Sequence, residues 1–262
     1  MSVGPDQFLA ALSAAAGHRR PVVLTTVVAT EGSVPRHVGT KMIVHPDGTT
    51  IGTVGGGRVE ACIRDDALLA LADGVPQVRR YTLNDPERGD PGVCGGTMTV
   101  YLEPYMPSPT IFIIGCGHVG RAVVDLAHWL GYHTVAVDDR ADRVTEEAMP
   151  NADVRFNGSV GEAIQEHPIS EGTSVVLVTR SHSLDAQIVP KLLQTNASYI
   201  GVMGSERRWA MTRARLVEAG VSDAALDRIH VPIGIDIGAE TVEQIAVSIM
   251  SEIIASASAA AR

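Results

Sequence analysis

A glycine-rich turn near the middle of the chain carries the clearest chemical pattern. An apolar run leads directly into Gly-Cys-Gly-His-Val-Gly at residues 115–120, and helix-forming residues follow. A Gly-x-Gly-x-x-Gly spacing between a strand and a helix lets the pyrophosphate of a dinucleotide approach the helix N-terminus. We therefore predict a Rossmann fold in which Gly115, Gly117 and Gly120 are cofactor-binding residues. His118, inside the turn, either touches a phosphate or faces solvent.

The end of the next predicted strand supplies candidates for ribose recognition. Asp138 stands twenty-three residues after Gly115, close to where dinucleotide-binding proteins carry the carboxylate that bonds the ribose. Asp138 favours the unmodified ribose of NAD, whereas Arg140 could receive the 2′-phosphate of NADP. Asp139 belongs to the same candidate site or caps the following loop. The sequence leaves NAD, NADP and a scaffold without nucleotide open, because a fold does not by itself determine a ligand.

Polar residues after a later apolar run are expected at the same site. Ligands of open α/β sheets bind beyond the carboxyl ends of the strands, so Thr179 and His182 should face the same crevice as Gly117. Ser183 and Asp185 are predicted to cap the helix that follows.

One more glycine turn lies in the last part of the predicted sheet. The apolar run 199–202 is followed by Gly204, and Arg207 and Arg208 open the next helix. This passage is interpreted as an anion contact or as a solvated helix face. Gly204 is therefore a further candidate for cofactor binding.

Three successive glycines mark a second candidate site, in the first part of the chain. Gly55, Gly56 and Gly57 lie between a predicted strand and a predicted helix and are followed by Arg58. Because glycine loses more conformational freedom on folding than other residues, such a run indicates close approach of the backbone to a ligand. A phosphate held by backbone amides and Arg58 fits this pattern. The alternative is a tight strand-to-helix turn and nothing more.

Cys94 is the cysteine best suited to chemistry. It stands with Gly95 and Gly96 at the end of a thirteen-residue polar loop, where a thiolate would be exposed. Cys62 lies in an apolar helical pattern and Cys116 lies inside the glycine turn, so both are predicted to be packed thiols. The spacing of Cys and His residues matches no structural zinc site, and no metal site is predicted.

The elements that position these residues fall into two parts, and the fold class is α/β. Residues 1–105 form a small α/β unit that begins with a helix capped by Asp6 and includes a helix over 58–73. A proline-rich linker occupies 106–109. From 110 to 262, short apolar runs alternate with helices, which predicts a Rossmann-like, doubly wound parallel sheet.

Composition and charge narrow the classes of function. The 262 residues are 45% hydrophobic and 19% charged, as in an ordinary globular protein. A net charge of −9 and an aromatic content of 4% argue against a nucleic-acid partner. No run of eighteen apolar residues and no signal peptide are present, so no membrane association is expected. An odd number of cysteines favours a reduced, cytoplasmic protein.

The whole pattern resembles the XdhC/CoxI family, accessory proteins for molybdenum hydroxylases such as xanthine dehydrogenase and carbon monoxide dehydrogenase. The motifs that carry this resemblance occur in order along the chain, at residues 32–36, 55–60, 94–96, 115–120, 137–140, 179–182, 199–205 and 232–239. The resemblance implies a chaperone of the pyranopterin molybdenum cofactor. Such a protein assists the replacement of an oxo by a sulfido ligand with a cysteine desulfurase, and then delivers the cofactor to an apo molybdenum hydroxylase.

The same resemblance implies roles for particular residues. Cys94 would handle sulfur or face the cofactor, and Ser33, Arg36, Arg58 and Glu60 would lie nearby, together with Gly95 and Gly96. A homodimer is preferred, because an interface would shield a cofactor that passes between large proteins.

Two other functions remain open from the sequence. One is an NAD(P)-dependent oxidoreductase of a small substrate, with His182 as general acid or base and Asp138 as the residue that selects the nucleotide. The other is a scaffold whose glycines only shape loops.

Overall fold

The two parts of the chain carry different patterns of hydrophobic residues, and each part folds into its own sheet. The computed structural model describes residues 4–84 and 90–260, and the chain divides into two compact units between Pro107 and Ser108. The predicted α/β class, with a small first part and a Rossmann-like second part, is confirmed.

The first unit is an antiparallel sheet with a helix on each face. Its elements are α1 (Pro5–Gly17), β1 (Val22–Glu31), β2 (Lys41–Val44), β3 (Thr50–Gly52), α2 (Gly57–Asp73), β4 (Gln77–Leu83) and β5 (Gly96–Tyr105). The strands lie in the order β3-β2-β1-β5-β4. Because neighbouring strands run in opposite directions, β1, β3 and β4 all end, and β5 begins, at one end of the sheet.

Burial explains why the helices of this unit lie where they do. Ile63 and Ala67 of α2 are fully buried against Val23 and Met98 of the sheet, and each large apolar side chain buried in this way contributes about 1.5–3 kcal/mol. The helix ends before Gly74, as predicted, because Gly74 adopts the left-handed conformation that closes helices.

The predicted cap of α1 is wrong. The helix begins at Pro5 and its N-cap is Gly4, so Asp6 lies in the first turn. Proline has a fixed φ and no amide hydrogen, which suits the first helical position, and the helix starts two residues earlier than expected.

The second unit is a parallel sheet with helices on both faces. Its elements are β6 (Thr110–Ile114), α3 (His118–Trp129), β7 (His133–Asp138), a 3₁₀ turn (Ala141–Arg143), β8 (Val154–Asn157), α4 (Val160–Glu166), β9 (Thr173–Leu177), α5 (His182–Leu192), β10 (Tyr199–Val202), α6 (Glu206–Glu218), α7 (Asp223–Leu226), β11 (Ile229–His230) and α8 (Val242–Ala260). The strand order is β11-β10-β9-β6-β7-β8. With β6 counted first, this is the 3-2-1-4-5-6 order of dinucleotide-binding folds.

Two strands of this sheet carry no sequence signal that predicts them. β8 is only partly buried and has no apolar run, while β11 is two residues long. Both are edge strands, whose position depends on their neighbours rather than on their own composition.

Helix α8 belongs to the core of the second unit. Among the described residues, Val242–Ala259 is the one segment long and apolar enough to cross a membrane by length and composition alone. Ala246, Ile249, Met250 and Ile253 are buried against the sheet and α3, and the core helix of a globular protein passes the same test.

Candidate functional site

The carboxyl ends of β6, β7, β8 and β9 frame a crevice of about 450 Å³. β6 and β9 are neighbours in the sheet, and the chain builds outwards from them in opposite directions. Open α/β sheets bind ligands at such a switch point. Seven of the predicted site residues line this crevice: Gly115, Gly117, His118, Asp138, Asp139, Arg140 and Thr179.

The three glycines of the turn are needed for different reasons. A Cβ at Gly120 would lie 2.1 Å from the carbonyl oxygen of Gly115, and a Cβ at Gly115 would lie 2.6 Å from that of Val178. Close packing of α3 against the turn after β6, and of that turn against the segment after β9, therefore explains both residues. A Cβ at Gly117 would meet nothing within 4 Å, so packing does not explain a glycine there. Free space at Gly117 is what the approach of a ligand to the turn requires.

Asp138 is held inside the protein by its own neighbours. Its Oδ1 accepts hydrogen bonds from the amide and Nε of Arg140, at 3.0 and 2.8 Å. Its Oδ2 accepts from Nη2 of Arg140 and from the amide of Cys116, both at 2.8 Å. Burial raises the pKa of Asp138, but the hydrogen bonds from Arg140 and Cys116 outweigh it and lower the pKa to about 2. A ribose hydroxyl would have to compete with Arg140 for this carboxylate.

Asp139 forms an ion pair across the mouth of the crevice. Nη2 of Arg180 lies 3.0 Å from Oδ2 of Asp139, and Nη1 lies 3.2 Å from Oδ1. The pair joins the loop after β7 to the loop after β9. Both side chains are about half exposed, so the pair contributes at most about 1 kcal/mol and can open for a ligand.

Thr179 belongs to a buried network behind the crevice. Its hydroxyl donates to Oδ1 of Asp185, and Nη2 of Arg208 donates to Oδ2, both at 2.5 Å. The side chain of Asp185 is only 2% exposed. The network ties the end of β9 to α5 and α6.

Two predictions about the start of α5 are wrong. Neither Ser183 nor Asp185 caps the helix, because the cap is Ser181, whose hydroxyl accepts from the amide of Leu184. His182 lies outside the set of described residues that line the crevice. The face of α5 turned to the crevice includes Leu184, and successive helical residues are 100° apart, so His182 points elsewhere.

Gly204 also lies outside the described lining of the crevice. A Cβ there would lie 3.1 Å from Cδ of Arg208. The glycine therefore makes room for the arginine that reaches Asp185, and a direct contact with a cofactor stays a prediction.

Several residues that line the crevice were not predicted from the sequence. They are Arg143 in the 3₁₀ turn, Arg180 after β9, and the α5 residues Leu184, Gln187, Ile188 and Lys191. The last four recur at the three- and four-residue spacing of one helix face, and this spacing could have predicted them.

In the first unit, three glycine loops meet at the end of the sheet where β1 ends. A Cβ at Gly96 would lie 2.2 Å from the carbonyl oxygen of Ser33, and one at Gly32 would lie 2.9 Å from that of Gly95. A Cβ at Gly55 would lie 3.1 Å from the ring of Pro35. The loops at 31–36, 55–57 and 94–96 are thus packed against one another.

Glu60 acts on the triple-glycine turn from within. Its Oε2 accepts from the hydroxyl of Thr53 and from the amides of Val54 and Gly56, at 3.1 and 3.0 Å for the two amides. Burial raises the pKa of Glu60, but these hydrogen bonds outweigh it and leave the pKa below its ordinary value. One of the amides expected to hold a phosphate, that of Gly56, is therefore already occupied. Contact of Glu60, Gly55, Gly56, Gly57 and Arg58 with a cofactor stays a prediction.

The three cysteines differ in exposure as predicted. Cys94 is exposed, Cys62 is half-buried against the core of its unit, and Cys116 is buried. Burial first, and then the charge of Asp138, raises the pKa of Cys116 to about 12, so its thiol is unreactive. Residues 85–89 of the polar loop before Cys94 lie outside the described part of the chain.

Among residues 4–84 and 90–260, no group of three His, Cys, Asp or Glu side chains is placed to hold a metal ion. The exposed thiol of Cys94 is a soft donor that suits contact with a metal-bearing ligand.

Two family models match this chain. The model for the XdhC Rossmann domain matches residues 111–253, and the model for the XdhC and CoxI family matches residues 15–82.

Curated relatives come from two bacteria. The uncharacterized protein YqeB of Escherichia coli is 31% identical over 237 residues, which are 89% of this chain and 43% of that protein. A Bacillus subtilis protein described as a probable subunit of xanthine dehydrogenase is 27% identical, over 60% of this chain and 46% of that protein. The chain thus spans less than half the length of these two relatives. The molybdenum cofactor insertion chaperone PaoD of Escherichia coli is 23% identical, over 88% of this chain and 82% of that protein.

A solved structure shares the arrangement of the chain. A crystal structure described as a xanthine dehydrogenase from Bacillus halodurans has a TM-score of 0.53 and 22% identity, and covers 99% of this chain and 96% of its own. At that identity the likeness shows the fold alone.

Proposed function

The chain belongs to the XdhC and CoxI family, and from that premise we propose that it binds a molybdenum cofactor and inserts it into an apo molybdenum hydroxylase of the xanthine dehydrogenase or carbon monoxide dehydrogenase type. A relative over most of both chains is described as a molybdenum cofactor insertion chaperone. The name of a second relative refers to xanthine dehydrogenase.

The observation that carries this proposal is the exposed thiol of Cys94 on a surface of packed glycine loops. The backbone of Gly95 and Gly96 lies directly against residues 31–33, so Cys94 and Ser33 are held near each other. A Cβ at Gly56, Gly57 or Gly95 would meet nothing within 4 Å, so these glycines leave space for a large, flat ligand close to the backbone. Cys94 would then contact the metal end of the ligand.

Cationic groups at the same surface suit the phosphate of the cofactor. Arg36 and Arg58 are both exposed, and each follows one of the packed loops. Guanidinium groups bind phosphate through two parallel hydrogen bonds. Glu60 supports this arrangement indirectly, because it holds the turn that presents Arg58.

When bound, the cofactor supplies the molybdenum chemistry, and the residues of this chain hold and shield it. The finer part of the proposal is that a cysteine desulfurase supplies sulfur while the cofactor is held here. A cytoplasmic location and a homodimer belong to the same proposal.

The test is cofactor retention after co-expression with the enzymes of cofactor biosynthesis. Purified protein should release a pterin that becomes fluorescent on oxidation. Cys94→Ala should lower the retained pterin at least tenfold, which is about 1.4 kcal/mol of binding free energy, and should slow activation of the apo-hydroxylase.

Cys62→Ala is the matched control, since it removes a half-buried thiol of the same unit. That variant should retain the cofactor as the wild type does. A wild-type protein without pterin would refute the proposal, and normal retention in Cys94→Ala would remove Cys94 from it.

The oxidoreductase alternative is weakened by the position of His182. A general acid or base must lie within hydrogen-bond reach of the substrate, and His182 is not among the described residues that line the crevice. No described observation favours turnover of a small substrate at this site.

A further inference from the structure

We propose that the crevice of the second unit binds a nucleotide that carries a phosphate on its adenosine ribose, as NADP does, in preference to NAD. This goes beyond cofactor insertion and concerns a different unit of the chain. It rests on the charges, the apolar floor and the hydrogen bonds of the crevice.

The crevice has an apolar part that fits a planar base. Val137 and Val160 are buried, with exposed fractions of 1% and 8%, and both line the cavity. Leu184 and Ile188 line it from the facing side of α5. An adenine ring between these two walls would be removed from water on both faces.

The remaining lining is more basic than the protein as a whole. Four cationic side chains (Arg140, Arg143, Arg180 and Lys191) and two acidic ones (Asp138 and Asp139) line the cavity, which leaves a net charge of +2. The whole chain has a net charge of −9. A local excess of positive charge in an acidic protein attracts a ligand with several negative charges.

The distribution of partners shows which cations are available. Arg140 and Arg180 are paired with the two acids of the crevice. Nε of Arg143 is buried without a hydrogen-bond acceptor, 3.3 Å from an oxygen of the exposed Asp142. Within the described part of the chain, the side chain of Lys191 makes no hydrogen bond or ion pair, although its charge lowers the pKa of Glu162.

The state of Asp138 separates the two nucleotide classes. NAD is recognised when a carboxylate at this position bonds the ribose hydroxyls. Here both oxygens of Asp138 are engaged by Arg140 and the amide of Cys116. Its negative charge is thereby neutralised, so it neither bonds a ribose diol readily nor repels a phosphate.

A ribose phosphate, in contrast, can be bound while the hydrogen bonds to Asp138 stay in place. Arg140 follows β7 by two residues, the region where NADP-binding proteins place an arginine, and its side chain is 36% exposed. Arg143 lies one turn further on. The two guanidinium groups can share a dianionic phosphate while Asp138 stays bonded.

The experiment is calorimetric titration of the full chain with 2′,5′-ADP and with 5′-AMP, which differ only in the ribose phosphate, followed by NADP⁺ and NAD⁺. We expect the phosphorylated member of each pair to bind at least about tenfold more tightly. Equal affinities, or no binding of any of the four, would overturn the proposal.

Variants locate the phosphate. Arg143→Gln should weaken 2′,5′-ADP about tenfold and leave 5′-AMP unchanged. Arg140→Gln should release Asp138 and reverse the preference towards NAD⁺. Arg121→Gln, on α3 and outside the described lining, is the control and should change neither affinity. An unchanged affinity of Arg143→Gln for 2′,5′-ADP would also overturn the assignment. Pterin retention is measured separately, so failure here leaves the cofactor proposal standing.

Discussion

Removal of Arg208 should destabilise the second unit by about 3 kcal/mol, because it leaves Asp185 buried without its ionic partner. The carboxylate of Asp185 is 2% exposed and would keep only the hydroxyl of Thr179 as donor. Loss of one partner of a buried ion pair costs about 3–5 kcal/mol. Arg208 itself is 27% exposed, which allows some water to reach Asp185 and places the cost at the lower end.

Tryptophan fluorescence during urea unfolding measures this effect on one unit alone. Both tryptophans of the chain, Trp129 and Trp209, belong to the second unit, and Trp209 packs against its core beside Arg208. Arg208→Met, which keeps the length of the side chain, should lower the free energy of unfolding by about 3 kcal/mol. The melting temperature should fall by about 6–12 °C.

Arg207→Met is the matched control. Arg207 is the preceding residue of the same helical turn and is exposed, so its replacement should change the free energy of unfolding by no more than about 0.5 kcal/mol. If Arg208→Met is as stable as Arg207→Met, the network of Thr179, Asp185 and Arg208 does not support the fold as argued.

Two further predictions concern the glycine turn and Asp138. Gly120→Ala should prevent normal folding, because its Cβ would lie 2.1 Å from a carbonyl oxygen. Gly117→Ala should have a free energy of unfolding within about 1 kcal/mol of that of the wild type and should weaken only nucleotide binding. Equal stability of the two variants would contradict this. The pKa of Asp138, about 2 against an ordinary 3.8, means that about 2 kcal/mol of stability is present above pH 4 and lost as the pH falls towards 2. Urea unfolding at pH 5 and at pH 2.5 should show a smaller acid loss in Asp138→Asn, and an equal loss would refute the assignment.

Much of the fold could be predicted because its signals are local. The turn at 115–120 lies between a strand and a helix as its glycine spacing indicates, and Gly74 ends α2 as its conformational freedom predicts. β8 and β11 were not predicted, because an edge strand pairs on one side only and needs few apolar residues of its own.

The candidate site was predicted less completely than the fold. Gly117, Asp138 and Thr179 line the crevice as expected, since the carboxyl ends of parallel strands meet at one edge of a sheet. His182 does not, because a rotation of 100° per residue decides which side of a helix a residue faces. Arg143 and Lys191 are far apart in sequence and share no motif with the glycine turn.

The amino-acid sequence by itself determined the two-part organisation, the parallel sheet with its glycine turn, and the exposure of Cys94 relative to the other cysteines. These depend on the spacing of residues that are near one another along the chain. Only the tertiary structure decided the distant partners of the charged groups: that the amide of Cys116 donates to Asp138, and that Asp185 pairs with Arg208. Hydrogen bonds require donor and acceptor within about 3 Å, and for residues distant in sequence that proximity is set by how the elements pack.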